Sequence, residues 1–224
     1  MATKRTYGDR CGVARGLDVV GERWALLVVR ELLFGPKRFT DLRAGLPNLS
    51  PDVLSQRLRE LERAGVLRRR RLDPPAGSRV YELSDWGKEL EPVLVALARW
   101  GSRASFPPGD AGLGVDSTIL ALKTLFDPSA AGGLSASYEL RLSDQRFEAR
   151  VVDNRLELAR GGARQPDATI ATDPGTLSAL LWHGRSLPDA LRSGEIEIEG
   201  SRSAATRFLG LFPAPEPAPA AADA

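Results

Sequence analysis

Apolar side chains in the first hundred residues recur at helical intervals. Val13, Leu17 and Val20 form one stripe and Trp24, Leu27, Val28 and Leu32 another, with a break near Gly21 between them. Gly35-Pro36 ends the second helix, and Phe39, Leu42 and Leu46 predict a short third that stops before Pro47. The fourth helix is the most strongly specified. Ser50 is a favourable N-cap, Pro51 suits the first helical position, Leu54, Leu58 and Leu61 make one stripe, and Gly65 closes it. The period then changes: LRRRRL at 67–72 and RVYEL at 79–83 flank the turn-rich DPPAGS, which predicts a β-hairpin. Ser84 is expected to cap one final helix bearing Trp86, Leu90, Val93, Leu94, Leu97 and Trp100, an apolar face large enough to predict packing on a partner subunit.

Beyond residue 101 the pattern starts afresh. Residues 102–114, SRASFPPGDAGLG, read as a linker. A helix is predicted over 116–126, then short strands over 138–142, 147–152 and 156–158. PDATIATDPGTLSALLWHG predicts a strand followed by a helix from Pro174, and SGEIEIEGSRSAATRFLGLF an alternating strand with a closing helix. The Pro/Ala tail at 213–224 lacks the apolar content to bury itself and is expected to be disordered. The expected organisation is a helical domain with a hairpin at 1–101, a linker at 102–115, an α+β domain at 116–212 and the tail, which makes the fold class α+β overall.

Composition narrows the chemistry. No apolar run approaches the roughly 20 residues of a membrane span, and MATKRTYGDRC has no apolar stretch behind its basic residues as a secretory signal would, so a cytoplasmic protein without a membrane partner is expected. A single cysteine, Cys11, has no intramolecular disulfide partner, and a single histidine, His183, precludes a multi-His metal site within one chain. His183 beside Gly184 suits a helix end better than a catalytic base, and no phosphate loop, nucleophile elbow or metal-ligand cluster is present. Neither an enzyme nor a cofactor is expected. Charge is the more telling quantity: residues 1–101 carry 19 basic and 13 acidic side chains, the rest 12 and 16. A basic half suits a polyanion, although random scatter of charge would give similar counts.

Two helices joined by a tight connection and followed by a basic hairpin form the winged helix-turn-helix motif, whose second helix enters the DNA major groove. With Leu54, Leu58 and Leu61 inward, helical geometry turns Asp52, Ser55, Gln56 and Arg59 outward and leaves Arg57 at the side. Glutamine can bond adenine and arginine guanine in bidentate fashion, so Ser50, Ser55, Gln56, Arg57 and Arg59 are the candidate readers; an ordinary solvated helix face would look similar. The hairpin arginines tip the balance toward double-stranded DNA. Alternation directs only some of them to it, with Arg69, Arg71 and Arg79 as candidates; a protected strand edge would not need four consecutive arginines.

Cys11, the Gly21 to Trp24 turn, Gly35-Pro36 with Arg38-Phe39, Leu54-Ser55-Gln56-Arg57-Leu58, and Tyr81-Glu82-Leu83 together resemble the HxlR family of winged-helix regulators, relatives of MarR, over roughly 10–101. The resemblance implies a bacterial transcriptional regulator, by family a repressor and nucleoid-associated when bound. It also implies a homodimer, built through the first and last helices, on a two-fold operator. Asp52 departs from the family pattern, where a basic residue often lies near a phosphate. In several similar members the cysteine before the first helix senses oxidants or electrophiles. Cys11 matches that place, with Arg10, Arg15 and the helix N-terminus favouring a thiolate, although an inert interface residue would also fit.

The second half resembles the sterol-carrier-protein-like fold over roughly 116–212, through Asp167, Thr169, Leu177, Leu180, Leu181, Gly184, Leu191, Gly194, Ile196, Ile198, Gly200 and Phe212. That fold often encloses an apolar tunnel. Leu177, Leu181, Trp182 and Phe212 are then candidate lining residues for an apolar small-molecule effector, or simply core. The expected function is a dimeric DNA-binding regulator whose C-terminal domain senses a ligand or extends oligomerisation. The alternative is a carrier of an apolar molecule that uses the winged helix mainly to dimerise.

Overall fold

The computed structural model describes residues 6–73, 77–104 and 112–219. The chain divides into two compact units, Met1–Leu94 and Val95–Ala224. The first comprises α1 (Gly12–Val20), α2 (Ala25–Leu32), α3 (Phe39–Gly45), α4 (Pro51–Arg63), β1 (Leu67–Arg71), β2 (Arg79–Leu83), α5 (Asp85–Lys88) and the start of α6 (Glu91–Gly101). The Ser50 hydroxyl accepts the Val53 N–H and Pro51 opens α4 as the sequence predicts, while Gly65 takes the left-handed conformation just past its end. Val28, Val29, Leu42, Leu54 and Leu58 are fully buried and form the centre of the core.

The single final helix expected after Ser84 is two helices. Pro92 occupies the second position of α6, where it lacks an N–H and its ring would collide with the Lys88 carbonyl if the helix ran through. The break is closed by short-range bonds, Glu89 N–H to Trp86 O and Leu90 N–H to Gly87 O, each 3.2 Å. The Ser84 hydroxyl accepts the Gly87 N–H at 3.0 Å, capping α5, and the Ser84 N–H donates to Val66 O at 3.0 Å.

Two buried charges tie this unit together. Glu31 on α2 is 1% exposed, and its carboxylate accepts from Lys37 Nζ at 2.7 Å and Arg30 Nη2 at 2.8 Å. The Lys37 backbone pairs with β2: its N–H donates to Tyr81 O at 3.0 Å and its carbonyl accepts the Tyr81 N–H at 2.8 Å.

The second unit continues through α7 (Val115–Leu125), α8 (Pro128–Ala131), β3 (Ala136–Leu142), β4 (Gln145–Val152), β5 (Arg155–Arg160), β6 (Ala168–Thr172), α9 (Pro174–Trp182), α10 (Leu187–Ser193), β7 (Ile196–Gly200) and α11 (Arg202–Leu209). Its five-stranded sheet has the order β5-β4-β3-β6-β7, all neighbours antiparallel except β3 and β6. Phe147, Ala149 and Val151 point inward at every second position of β4, and α11 packs on β6 and β7. Phe208 stacks on Tyr138 at 4.5 Å between ring centres and on Phe212 at 5.0 Å. The short helices α8 and α10 are additions to the sequence-based expectation.

Of the expected linker, 105–111 lie outside the described residues, as do 74–76 of the hairpin tip and 220–224 of the tail. Residues 213–219, expected to be disordered, are held by two hydrogen bonds to Arg103: the Ala218 N–H donates to the Arg103 carbonyl at 2.7 Å, and the side-chain Nε of Arg103 donates to Glu216 O at 3.1 Å. No described helix is long and apolar enough to cross a membrane.

Gly87 is packed so closely that a Cβ there would lie 2.0 Å from Val66 O. Gly87→Ala is therefore expected to push α5 off the start of β1 and destabilise the fold by about 1–3 kcal/mol. A urea-unfolding midpoint equal to that of the wild type would contradict this close approach.

Candidate nucleic-acid interface

α4 presents its outer face much as helical spacing predicts. Ser50, Asp52, Gln56 and Arg59 are exposed and Ser55 is half-buried. Arg57 is a correction. It lies three residues after Leu54 and four before Leu61, on the buried stripe, and is only 9% exposed. Its Nη1 donates to Glu60 Oε2 and stands 3.5 Å from Glu22 Oε2, which removes it from the readers.

The hairpin arginines separate into groups. Arg68 and Arg70 share one face and both bind Glu82, at 2.8 and 2.9 Å. Arg69, on the opposite face, lies over the Tyr81 ring at 5.3 Å and pairs with Glu62 of α4 at 3.0 Å. Arg69, expected as a DNA contact, therefore joins hairpin to helix. Arg71 and Arg79 are register partners near the tip and both are exposed; Arg71 Nε donates to Gly77 O at 3.0 Å. Two like charges directly opposite on a hairpin oppose its pairing, and an anion bound between them relieves that repulsion.

Cys11 is an exposed free thiol at the N-cap of α1, its backbone N–H donating to Asp9 Oδ1 at 2.9 Å. A groove of about 420 Å³ runs beside it, lined by Gly12, Arg15, Val20, Val66, Trp86 and Leu90 among others. In the second unit, Leu177 and Phe212 are fully buried core residues, whereas Leu181 and Trp182 are half-buried. A smaller groove there, about 240 Å³, is lined by Ser135, Ser137, Arg150 and Asp167. Neither groove is lined by any of the four residues expected to contact a ligand. Among the described residues, no group of three or more His, Cys, Asp or Glu is placed to hold a metal ion.

Sequence reasoning missed Glu31, Lys37 and Glu60. The signal for the first was an acidic residue on the buried stripe of α2, three positions after Val28, with a lysine six residues on. Glu60 gave none, since a glutamate on an outward helix face is ordinary.

Helix-turn-helix, basic hairpin and exposed outer face of α4 define a winged helix-turn-helix protein. Residues 19–107 match the model of the HxlR-like helix-turn-helix family, and residues 119–218 that of the alkyl sulfatase C-terminal region. YvaP of Bacillus subtilis strain 168, an uncharacterised HTH-type transcriptional regulator, is 41% identical over 88 residues, which are 39% of this chain and 82% of YvaP. The chain therefore belongs to the HxlR-like helix-turn-helix family. The reduced form of the transcriptional regulator YodB from B. subtilis is similar at 29% identity and a TM-score of 0.39, covering 46% of this chain and 100% of that one. The sec-alkylsulfatase Pisa1 from Pseudomonas sp. is similar at 21% identity and a TM-score of 0.42, covering 45% of this chain and 16% of that one.

Glu82 yields a test of the hairpin. Burial alone would raise its carboxyl pKa, but hydrogen bonds from Arg70 and Arg68, with their charges, outweigh it and hold the group below its ordinary value of 4.5. A depressed carboxyl contributes stability that is present above the unfolded value and lost as pH falls through the folded one. Wild type should therefore exceed Glu82→Gln in stability at neutral pH, and the gap should close below about pH 4.5. Unfolding midpoints measured across that range decide it; a gap that stays constant into acid would show that the ionised Glu82 is not its source.

Proposed function

We propose that the chain is a sequence-specific transcriptional regulator that binds duplex DNA as a homodimer on a two-fold element, repression being its sense of action. The carrying observation is the pairing of an exposed reading face, Ser50, Ser55, Gln56 and Arg59 on α4, with the exposed Arg71 and Arg79 of the hairpin. The first set has the chemistry to read base edges in a major groove, the second to follow phosphates beside it. Family membership supports the same reading. The homodimer is supported by unpartnered apolar residues: Val13 and Leu17 one turn apart on α1, and Val93, Leu97 and Trp100 along one face of α6, the last 74% exposed. The DNA-binding domain takes residues 1–101 and the second domain 116–212, with ligand sensing or oligomerisation assigned to the latter and catalysis to neither.

The two residue sets should fail differently. Gln56→Ala should lower the preference for an operator over random duplex by about 1–3 kcal/mol, because a base-edge contact is lost. Arg79→Ala should weaken both duplexes alike and reduce the salt slope by about one phosphate. Titrations of full-length variants on an operator enriched from a random library measure both. Equal losses on the two duplexes for the Gln56 variant would remove its reading role.

The accessible Cys11 thiol at the start of α1 also supports oxidant or electrophile sensing at the dimer contact. Cys11→Ser should bind the operator as wild type does under reducing conditions and keep it after quinone or peroxide treatment. Wild-type protein that stays bound after that treatment would make Cys11 structural only.

A further inference from the structure

Gln56 is already oriented in the free protein. Its Nε2 donates to Glu60 Oε1 at 3.0 Å, one helical turn on, while the other carboxylate oxygen accepts Arg57 Nη1. Arg57 is itself fixed by burial and by Glu22 Oε2 at 3.5 Å, and its Nε has no hydrogen-bond partner among the described residues. The Glu60 carboxylate is thus held from one side and holds Gln56 from the other. An ionised carboxylate only accepts, so Gln56 must turn its NH₂ toward Glu60 and its carbonyl oxygen away. Donating to Glu60 through the N–H trans to that oxygen leaves the other N–H beside it, an acceptor and a donor side by side. Adenine offers the complementary pair in the major groove, the N6 amino donor and the N7 acceptor.

We propose that Glu60 is a positioning residue that sets the Gln56 amide for adenine and so determines specificity at one position of each half-site. The inference rests on α4 being the DNA-reading helix. Without Glu60 the amide turns freely, presents either end to the base, and must be ordered on binding.

The test uses full-length protein on the enriched operator, with each base placed in turn at the position that Gln56→Ala relaxes. Glu60→Ala should reduce the preference for adenine there by about three- to tenfold, the cost of ordering one side chain. Glu60→Gln should retain most of it, because an amide oxygen still accepts from Gln56. In a Gln56→Ala background, Glu60→Ala should change the base preference no further. Thermal unfolding of each variant separates this from misfolding, which would weaken operator and random duplex equally. An unchanged base profile for Glu60→Ala beside an altered one for Gln56→Ala would overturn the positioning role and leave α4 as the reader. An unchanged profile for Gln56→Ala would overturn both the reading role of Gln56 and the positioning role of Glu60, while a profile altered by Arg59→Ala would still leave α4 as the reader.

Discussion

A carboxylate removed from water must find its charge partner inside the fold, and in the first unit that requirement falls on Glu31. Lys37 and Arg30 meet it. Because the Lys37 backbone is also bonded to Tyr81, neutralising Glu31 and anchoring the hairpin are the same event. Contact then passes from Tyr81 to Arg69 on the facing strand, and from Arg69 to Glu62 on α4. Scaffold helix, hairpin and outward-facing helix are thereby fixed to one another by a short series of charged contacts. Loss of the Lys37 side chain would leave Glu31 with the Arg30 guanidinium and weaken the segment whose backbone holds the hairpin at Tyr81.

That arrangement explains why arginine count and arginine function differ. Five arginines on or beside one hairpin look alike as a charge pattern, yet three of them are held by acidic or aromatic side chains of the unit: Arg68 and Arg70 by Glu82, and Arg69 by Tyr81 and Glu62. The pair left near the tip, Arg71 and Arg79, face each other in register. Ionic contacts within the unit brace a hairpin whose shape its strand pairing sets; the two like charges near its tip repel one another, and a bound anion would relieve that repulsion. The acidic balance of residues 102–224 concentrates the attraction for a polyanion in the first unit.

Most of the first unit was legible because its local signals agree. Ser50-Pro51 and Gly65 bound α4 within a residue, and the arginine-rich strand with its alternating partner marks the hairpin. What escaped depends on three dimensions. Pro92 divides the last helix, a signal present in the sequence but outweighed by the apolar stripe that continues through it. Helical spacing puts Arg57 at the side of α4, whereas in the fold it is buried, with its guanidinium shared between Glu60 and Glu22. Glu60 is unremarkable until Gln56 and Arg57 are seen on its two oxygens. In the second unit the strands and the longer helices followed the pattern, but α8 and α10 are too short to show periodicity. The tail at 213–219 is placed by hydrogen bonds to the backbone and side chain of Arg103 that composition cannot reveal.

In the proposed mode of binding, a dimer of this chain reads duplex DNA with α4 and steadies it with the hairpin. Hydroxyl-radical footprinting of the full-length protein on its enriched duplex, combined with 7-deazapurine substitution, tests this directly. Two symmetric sets of protected sites are expected about one helical turn apart, or a multiple of it, each with a purine whose 7-deaza replacement weakens binding and with flanking backbone cover from the hairpin. A single unpaired half-site protected by a monomer, or uniform protection with no effect of any 7-deazapurine, would contradict it.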